Sequence, residues 1–199
     1  MLMMIKVTIL CVFAYLLGSL SSAVIVSKIF NLPDPRQHGS KNPGTTNILR
    51  LCGKKYAFMV LLGDFLKGLL PVLIGKMLVI SPIYLGIIGL LAILGHIFPV
   101  FFQFKGGKGV ATSAGVLLAL SLPIGLMVIF TWLLVAILFR YSSLAAIIAS
   151  ISAPVYGFFM GRQYFMILLV MSLIILSKHY VNIKKLIQGT ESKIGKSPK

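Results

Sequence analysis

Acidic residues are almost missing from this sequence: its 199 residues include 3 Asp and Glu against 19 Lys and Arg. Because Mg²⁺ sites in proteins are built largely from carboxylates, this scarcity argues against such a site. The two cysteines, Cys11 and Cys52, lack the spacing of metal ligands and do not indicate a disulfide. We therefore expect neither a metal nor another cofactor.

Charge of either sign is also scarce, at 11% of residues, whereas a soluble domain carries about 25%. Hydrophobic residues make up 58% of the chain and the mean hydropathy is +1.02, which leaves no room for a sizeable soluble domain. We predict an all-α, polytopic transmembrane fold, a single domain over residues 1–199. The net charge of +16 indicates anionic partners, and the apolar runs favour phospholipid headgroups and phosphorylated substrates over nucleic acid.

Uncharged apolar runs predict the membrane spans, since about 20 such residues cross a hydrocarbon core of ~30 Å. The run Val110–Phe139 is too long for one span and short for two, and Pro123 and Gly125 lie near its middle. A turn near Ser121–Pro123 would place most Lys and Arg residues on one side, as the positive-inside rule requires. The other predicted spans lie between Lys6 and Lys28 and at about 56–75, 82–104, 143–160 and 164–178.

This arrangement predicts seven spans, with the N-terminus outside and the C-terminus in the cytoplasm. Three polar segments then share the cytoplasmic face: loop 31–55, turn 104–112 and tail 179–199, with the short link 140–143 beside them. The sequence shows no convincing internal repeat. We expect a functional site where these segments meet.

The first segment, loop 31–55, has the composition of an anion site. Gly39 and Gly44 allow backbone amides to converge on an anion, and Arg36 and Arg50 can bind phosphate oxygens in a bidentate manner. Hydroxyl and amide donors lie between the two arginines, at Ser40, Thr45, Thr46 and Asn47. The alternative is a solvated loop whose charges only set the topology.

The second segment carries paired glycines, Gly106 and Gly107, between Lys105 and Lys108, just before a predicted helix. Backbone amides at a helix N-terminus favour phosphate, and the lysines supply point charges. The pattern is not a Walker A motif, so it does not indicate nucleotide hydrolysis. The alternative is a flexible turn with interfacial lysines, and His96, upstream, is more typical of a packing residue.

In the third segment, the tail after Lys178, His179 and Asn182 would share a helix face if the last span continued as a helix. Taken alone, this tail is more typical of an amphipathic segment on lipid headgroups. Within the spans, Asp64 and Lys67 are spaced to form an ion pair, which we interpret as structural rather than catalytic.

Together these segments resemble the acyl-phosphate-dependent glycerol 3-phosphate acyltransferases of bacteria. The resemblance covers nearly the whole chain, and its most specific part is Lys105-Gly106-Gly107-Lys108-Gly109 after Gly95-His96-x-x-Pro99. Other matching pieces are Gly18-Ser19, Gly39-Ser40-x-Asn42-x-Gly44-x-Thr46-Asn47, Gly63-Asp64-x-x-Lys67-Gly68, Arg140-Tyr141-Ser142-Ser143, His179-x-x-Asn182 and Gly189-Thr190-Glu191. The chain departs from the family at Thr45, where Ala is usual, and at Lys185, where Arg is common.

The resemblance implies a seven-span enzyme of the bacterial inner membrane, with its active site at the cytoplasmic face. The enzyme would transfer an acyl group from acyl phosphate to the sn-1 hydroxyl of glycerol 3-phosphate, giving lysophosphatidate and phosphate. Other partners would be membrane lipids and the soluble enzyme that makes acyl phosphate. The implied catalytic residues are Ser40, Lys105, His179 and Asn182; the implied substrate-binding residues are Arg36, Asn42, Gly44, Thr46, Asn47, Arg50, Gly106, Gly107, Lys108, Gly109, Thr112 and Ser142; Asp64, Lys67 and Glu191 would be structural.

Because acyl phosphate is already activated, we expect direct attack by the glycerol hydroxyl, with His179 or a phosphate oxygen of the donor as the base. The main alternative function is a transporter of phosphate or an organic phosphate, although transporters tend to show repeats and broken helices at the midplane. A CDP-alcohol phosphotransferase would need an aspartate-rich metal site, and this chain has only two Asp. An acyltransferase of the His-x-x-x-x-Asp type is not supported either, because none of the histidines begins that motif. A lipid-binding scaffold without catalysis is a further alternative.

Overall fold

The computed structural model describes residues 1–160 and 162–195, so the last four residues of the predicted tail lie outside the described part. The regular elements in this part are helices, in agreement with the predicted all-α class. They are α1 (Leu2–Gly18), α2 (Ser22–Ile29), α3 (Thr45–Cys52), α4 (Lys54–Met77), α5 (Pro82–Ile97), α6 (Val110–Leu120), α7 (Leu122–Phe139), α8 (Ser142–Met160), α9 (Phe165–Lys178) and α10 (Tyr180–Ile187), with short 3₁₀ turns at Val100–Phe102 and Arg162–Tyr164.

By length and composition, the described helices give four to six candidate spans, and the count of seven stays a prediction. Four helices are long and apolar enough to cross a membrane: α4, α5 with the 3₁₀ turn after it, α7 and α8. Two bent pairs, α1 with α2 at 48° and α9 with α10 at 60°, raise the number to six. Helix α6 has 11 residues, about 16 Å at ~1.5 Å per residue, which is shorter than the hydrocarbon core.

The predicted break in the run Val110–Phe139 is confirmed, because α6 ends at Leu120 and α7 begins at Leu122. Ser121 between them has an extended backbone, with φ −151° and ψ 110°. Pro123 lies in the first turn of α7, where its missing N–H costs no helical hydrogen bond.

Two polar segments contain short helices, of which the sequence interpretation missed the first. Thr45–Cys52, treated as part of a long loop, forms α3, which buries Asn47 and Ile48 and packs on α4. The last span does not continue as one straight helix, since the chain bends by 60° at His179 between α9 and α10. Short polar helices of this kind depend on tertiary packing, so their own composition predicts them poorly.

Glycines bring two pairs of helices into backbone contact. At the α4–α6 crossing, a Cβ on Gly68 would lie 2.1 Å from the Thr112 carbonyl oxygen, and one on Gly115 would lie 2.1 Å from that of Phe65. At the α1–α5 crossing, Gly18 approaches Ala92 in the same way. Membrane helices without a hydrophobic driving force pack closely through such small residues.

The predicted ion pair within the spans is confirmed: Lys67 Nζ lies 2.9 Å from Asp64 Oδ1, and both side chains are buried on α4. Lys67 Nζ also donates a hydrogen bond of 2.7 Å to the Leu20 carbonyl, between α1 and α2. The pair therefore joins α4 to the bend of the first helix pair.

Candidate active site

A cavity of about 760 Å³ lies among α4, α6, α7, α8 and α9. Its mouth is lined by polar residues from α3 and the segment before it, from the turn before α6, from the start of α8, and from α10 and the tail. Its interior is lined mainly by apolar side chains of the membrane helices, together with the polar side chains of Asp64, His96, Ser113, Ser150 and Ser172. One cavity thus combines two chemically different regions.

Asn47 organises the segment that precedes α3. Its side-chain nitrogen donates to the carbonyls of Pro35 (3.0 Å) and His38 (3.1 Å), and its Oδ1 accepts from the Ser40 N–H (3.0 Å). Gly39 has φ +62°, and a Cβ there would lie 2.4 Å from Asn47 Oδ1, so this contact needs glycine. Asn47 therefore holds Ser40 at the cavity mouth.

Arg36, predicted to bind substrate, pairs with Asp34 instead and does not line the cavity. Its Nε and Nη2 donate to the two carboxylate oxygens, at 3.0 Å and 2.7 Å. The hydrogen bonds from Arg36 hold the pKa of Asp34 below its usual value. This bidentate pair occupies the Nε and Nη2 edge of the guanidinium, one of the edges that could bind phosphate.

A hydrogen-bonded network joins the turn before α6, helix α8, helix α10 and the tail. Lys108 Nζ donates to Asn182 Oδ1, and Asn182 Nδ2 donates to Glu191 Oε1 at 2.8 Å. Ser143 Oγ at the start of α8 donates to the same Glu191 oxygen at 2.6 Å. Glu191 in the tail thus accepts hydrogen bonds from both α8 and α10.

Two further contacts bring α3 into the same site. Thr46 Oγ1 lies 3.0 Å from Ser142 Oγ, which joins α3 to α8. Arg50 Nη2 donates to the Ser192 carbonyl at 3.0 Å, which joins α3 to the tail. The Arg50 Nε atom is buried without a hydrogen-bond partner among the described residues, so this guanidinium retains a donor for an anion at the cavity.

The surroundings of Lys108 change its acidity. Burial lowers the pKa of the Lys108 ammonium to about 8; Glu191 acts in the opposite direction, and the cations Lys185 and Arg50 lower it further. A bound phosphate would favour the charged form of Lys108 and raise this pKa again. The cationic groups at the mouth are therefore stabilised in their charged form when an anion binds.

His179 is buried at the bend between α9 and α10 and lines the cavity. Its Nδ1 lies 2.8 Å from the Ile175 carbonyl oxygen. Because a carbonyl only accepts, Nδ1 carries the proton in this contact and Nε2 keeps the lone pair. The ring is thus oriented with one nitrogen able to accept a proton.

The apolar region of the cavity was not predicted from the sequence. Small residues of α8 at helical spacing form part of its wall, and that spacing was the signal available in the sequence. Its lining residues are Phe58, Leu61, Leu62 and Phe65 of α4, Leu117 of α6, Val128, Ile129, Trp132 and Leu133 of α7, Ala146, Ala149 and Ala153 of α8, and Leu168, Met171 and Ile175 of α9.

The structure brings most of the predicted residues to one cavity but not all of them. The predicted residues that line it are Ser40, Asn42, Gly44, Thr46, Asn47, Arg50, Asp64, Lys108, Gly109, Ser142, His179, Asn182 and Glu191. The predicted residues outside its lining are Arg36, Lys67, Lys105, Gly106, Gly107 and Thr112. Lys105 is exposed to solvent, whereas Gly107 and Thr112 are buried behind the cavity wall.

A helical bundle of membrane type, with a cavity that is cationic at its mouth and apolar within, suits a molecule with an anionic head and a hydrocarbon chain. No group of three or more His, Cys, Asp or Glu residues able to hold a metal ion occurs in the described part of the chain. The fold and the cavity are therefore those expected of an integral membrane protein that binds a phosphorylated lipid or lipid precursor.

Comparison with known proteins identifies the family. The profile of the family described as Glycerol-3-phosphate acyltransferase matches residues 8–189. Glycerol-3-phosphate acyltransferase of Methylococcus capsulatus is 55% identical over 185 residues, which cover 92% of this chain and 93% of that protein. The chain belongs to the glycerol-3-phosphate acyltransferase family, as the sequence motifs implied.

Solved structures agree with this assignment. The crystal structure of PlsY (YgiH), an integral membrane glycerol 3-phosphate acyltransferase, in its glycerol 3-phosphate form, matches with a TM-score of 0.90 and 41% identity, covering 95% of this chain and 96% of that one. Its lysophosphatidic acid form matches with a TM-score of 0.86 and 39% identity, covering 94% of each chain. The chain is thus an integral, multi-pass membrane protein, and the family assignment replaces the transporter alternative.

Proposed function

We propose that this protein transfers an acyl group from acyl phosphate to the sn-1 hydroxyl of glycerol 3-phosphate, giving lysophosphatidate and inorganic phosphate in phospholipid synthesis. The observation that carries the proposal is the single cavity with a cationic mouth and an apolar interior. The mouth suits the phosphates of both substrates, and the interior suits the acyl chain. The related structures are a glycerol 3-phosphate form and a lysophosphatidic acid form, which supports the proposed acceptor and product.

The cationic and hydroxyl groups at the mouth hold the two phosphates in this proposal. Lys108 and Arg50 bind phosphate oxygens, and Ser40 with the amides near Gly44 supplies neutral donors. Thr46 and Ser142, already in mutual contact, form the adjoining wall. Asn182 and Glu191 keep Lys108 in place. Arg36 and Asn47 act by shaping the loop rather than by binding substrate.

The reaction proceeds by direct attack of the glycerol oxygen on the acyl carbonyl carbon. The new ester C–O bond forms, the acyl C–O bond to phosphate breaks, and the hydroxyl proton leaves to a base. Two bases are open to it, Nε2 of His179 and an oxygen of the donor phosphate. Holding both substrates in one cavity supplies much of the acceleration, because orientation is worth up to ~7–11 kcal/mol.

For the membrane arrangement we propose seven spans, with the short helix α6 completing the count and all 199 residues in one domain. The N-terminus lies outside, and the site opens to the cytoplasm of a bacterial inner membrane, where a soluble enzyme would deliver acyl phosphate. The cluster of Lys and Arg at the cavity mouth supports this orientation. In a cysteine-free background, an impermeant maleimide should label Lys105→Cys and Lys184→Cys from the same side and Lys76→Cys from the other.

The activity is tested with purified protein, acyl phosphate and glycerol 3-phosphate, with lysophosphatidate as the measured product. Acyl-CoA and acyl-carrier protein serve as parallel donors. We expect product with acyl phosphate. If product formed with acyl-CoA alone, the assignment of acyl phosphate as the donor would be wrong. In the labelling experiment, reaction of Lys105→Cys and Lys184→Cys from opposite sides would exclude a shared site.

A further inference from the structure

The buried residues Asp64 and His96 meet behind the turn that carries Lys108. His96 lies near the end of α5, and its Nδ1 lies 3.6 Å from Asp64 Oδ1 of α4, with both side chains buried. His96 Nδ1 is buried without a hydrogen bond within the described residues, so this carboxylate is the polar group it faces. Because a carboxylate is negatively charged and can only accept, its position favours a proton on the Nδ1 atom that faces it.

The other side of His96 packs on the glycine turn. The Gly107 N–H donates to the His96 carbonyl at 3.1 Å, and a Cβ on Gly107 would lie 2.2 Å from His96 Nε2. A Cβ on Gly106 would lie 2.1 Å from the His96 carbonyl oxygen. Both glycines are therefore packed against His96, Gly106 on its backbone and Gly107 on its ring, with no room for a side chain. Lys108 follows directly in the chain.

The Asp64 carboxylate is itself held firmly. Lys67, one turn further along α4, lies 2.9 Å from it and donates to the Leu20 carbonyl between α1 and α2. A buried charge of this kind is stable only with such partners. The chain of contacts therefore runs from the bend of the first helix pair to the turn before α6, and two of its members, Asp64 and His96, also line the cavity.

We infer that Asp64 and His96 are positioning residues for the reaction: they fix the Gly106–Gly107 turn and thereby hold Lys108 where it binds the phosphate of glycerol 3-phosphate. The inference rests on the proposed function, because it needs Lys108 to bind that phosphate. It assigns a role to His96, whose sequence context alone indicated packing. Misplacement of a binding group by ~1 Å costs up to about 10²-fold, which sets the expected scale.

The test combines His96→Ala, Gly107→Ala and the double variant with the conservative His96→Asn, whose amide can still reach Asp64. For His96→Ala we expect the KM for glycerol 3-phosphate to rise between about 10- and 100-fold, with a smaller change in kcat. His96→Asn should recover most of the loss. Gly107→Ala should be harmful alone and less harmful in the His96→Ala background, because the ring that its Cβ meets is gone.

Tyr156→Phe is the control, since Tyr156 bonds Thr131 at 2.8 Å outside the cavity lining and should leave KM unchanged. A purely structural role would lower thermal stability in His96→Ala with KM unchanged, and that result would overturn the inference, as would strict additivity of the two single changes. If His96→Ala yields no folded protein, the KM effect of Gly107→Ala is measured in the wild-type and His96→Asn backgrounds instead. A smaller effect in His96→Asn, which lacks the ring that the Gly107 Cβ would meet, supports the inference, and equal effects overturn it. Wild-type protein that forms no lysophosphatidate would refute the proposed function instead.

Discussion

The Lys108 ammonium donates a hydrogen bond to the Asn182 side chain, although the two residues are 74 positions apart in the chain. The contact joins the turn before α6 to α10 at the mouth of the cavity. Burial there holds the pKa of Lys108 at about 8, so its charge changes within an accessible pH range. The pH dependence of ligand binding therefore reports on the charge of Lys108.

Binding of glycerol 3-phosphate should weaken above about pH 8, because Lys108 loses its proton there. The ligand phosphate titrates near pH 6 and keeps a constant charge above pH 7, so it does not contribute to this limb. We expect the dissociation constant, measured by calorimetry from pH 7 to pH 10, to rise about tenfold per pH unit above the break.

Lys108→Arg gives the matched comparison, since a guanidinium stays charged throughout this range. The alkaline limb should disappear in this variant even if binding at pH 7 is weaker. A limb of the same position and slope in Lys108→Arg would assign the titration to another group.

Glu191→Gln should move the same break to lower pH. The Glu191 carboxylate is the neighbour that raises the pKa of Lys108, so its neutralisation leaves burial, Lys185 and Arg50 to lower that pKa further. The variant also weakens the hydrogen bonds that Ser143 and Asn182 donate to Glu191. Because a hydrogen bond to a charged group is worth about 1.5–3 kcal/mol, we expect kcat/KM to fall by about tenfold or more. Asp34→Asn, away from the cavity, should leave the break in place, and an unmoved or raised break in Glu191→Gln would contradict the network.

Much of the polar site could be predicted from the sequence because its residues are unusual for their surroundings. Polar and glycine-rich motifs between apolar runs stand out, and the contacts of Thr46 with Ser142 and of Lys108 with Asn182 confirm that these segments meet. The break at Ser121 was predictable because proline and glycine mark it.

The apolar wall was not predictable in the same way. Helices that are apolar all round give no periodic signal for which face lines a cavity and which faces lipid. Ala149 and Ile151 lie on the same helix, yet Ala149 lines the cavity and Ile151 is 52% exposed on the outer surface. Arg36 shows a second limit, since its pairing with Asp34 depends on local geometry that composition does not specify.

His179→Gln tests the two candidate bases. The phosphate of the donor is bonded to the reacting acyl group, so one of its oxygens is near the attacking hydroxyl by connectivity alone. We therefore expect kcat to fall by less than about 10²-fold, the lower end of what a general base contributes. A single-turnover measurement at saturating substrates gives the chemical step, and a fall of 10³-fold or more with KM unchanged would make His179 the base.

Gly68→Ala should destabilise the bundle and lower activity together. The added methyl would meet the Thr112 carbonyl, a backbone group that cannot rotate away, so α4 and α6 must separate. Overpacking of this kind costs about 1–3 kcal/mol, which should appear as a lower unfolding temperature in detergent. Gly63→Ala on the same helix meets only the Ser22 side chain at 2.7 Å and should be milder; equal effects would argue against the backbone contact.

Ala149→Leu should shorten the acyl chain that the enzyme accepts. Ala149 is buried on α8 and lines the apolar region of the cavity, so a larger side chain takes space from the far part of a long chain. We expect kcat/KM for a 16-carbon acyl phosphate to fall by about tenfold, the scale of an overpacking cost of ~1–3 kcal/mol, and that for an 8-carbon donor to change less. Ile151→Leu, on the lipid-facing side of α8, should leave the ratio of the two donors unchanged. A parallel loss for both chain lengths in Ala149→Leu would show that this region does not hold the acyl chain.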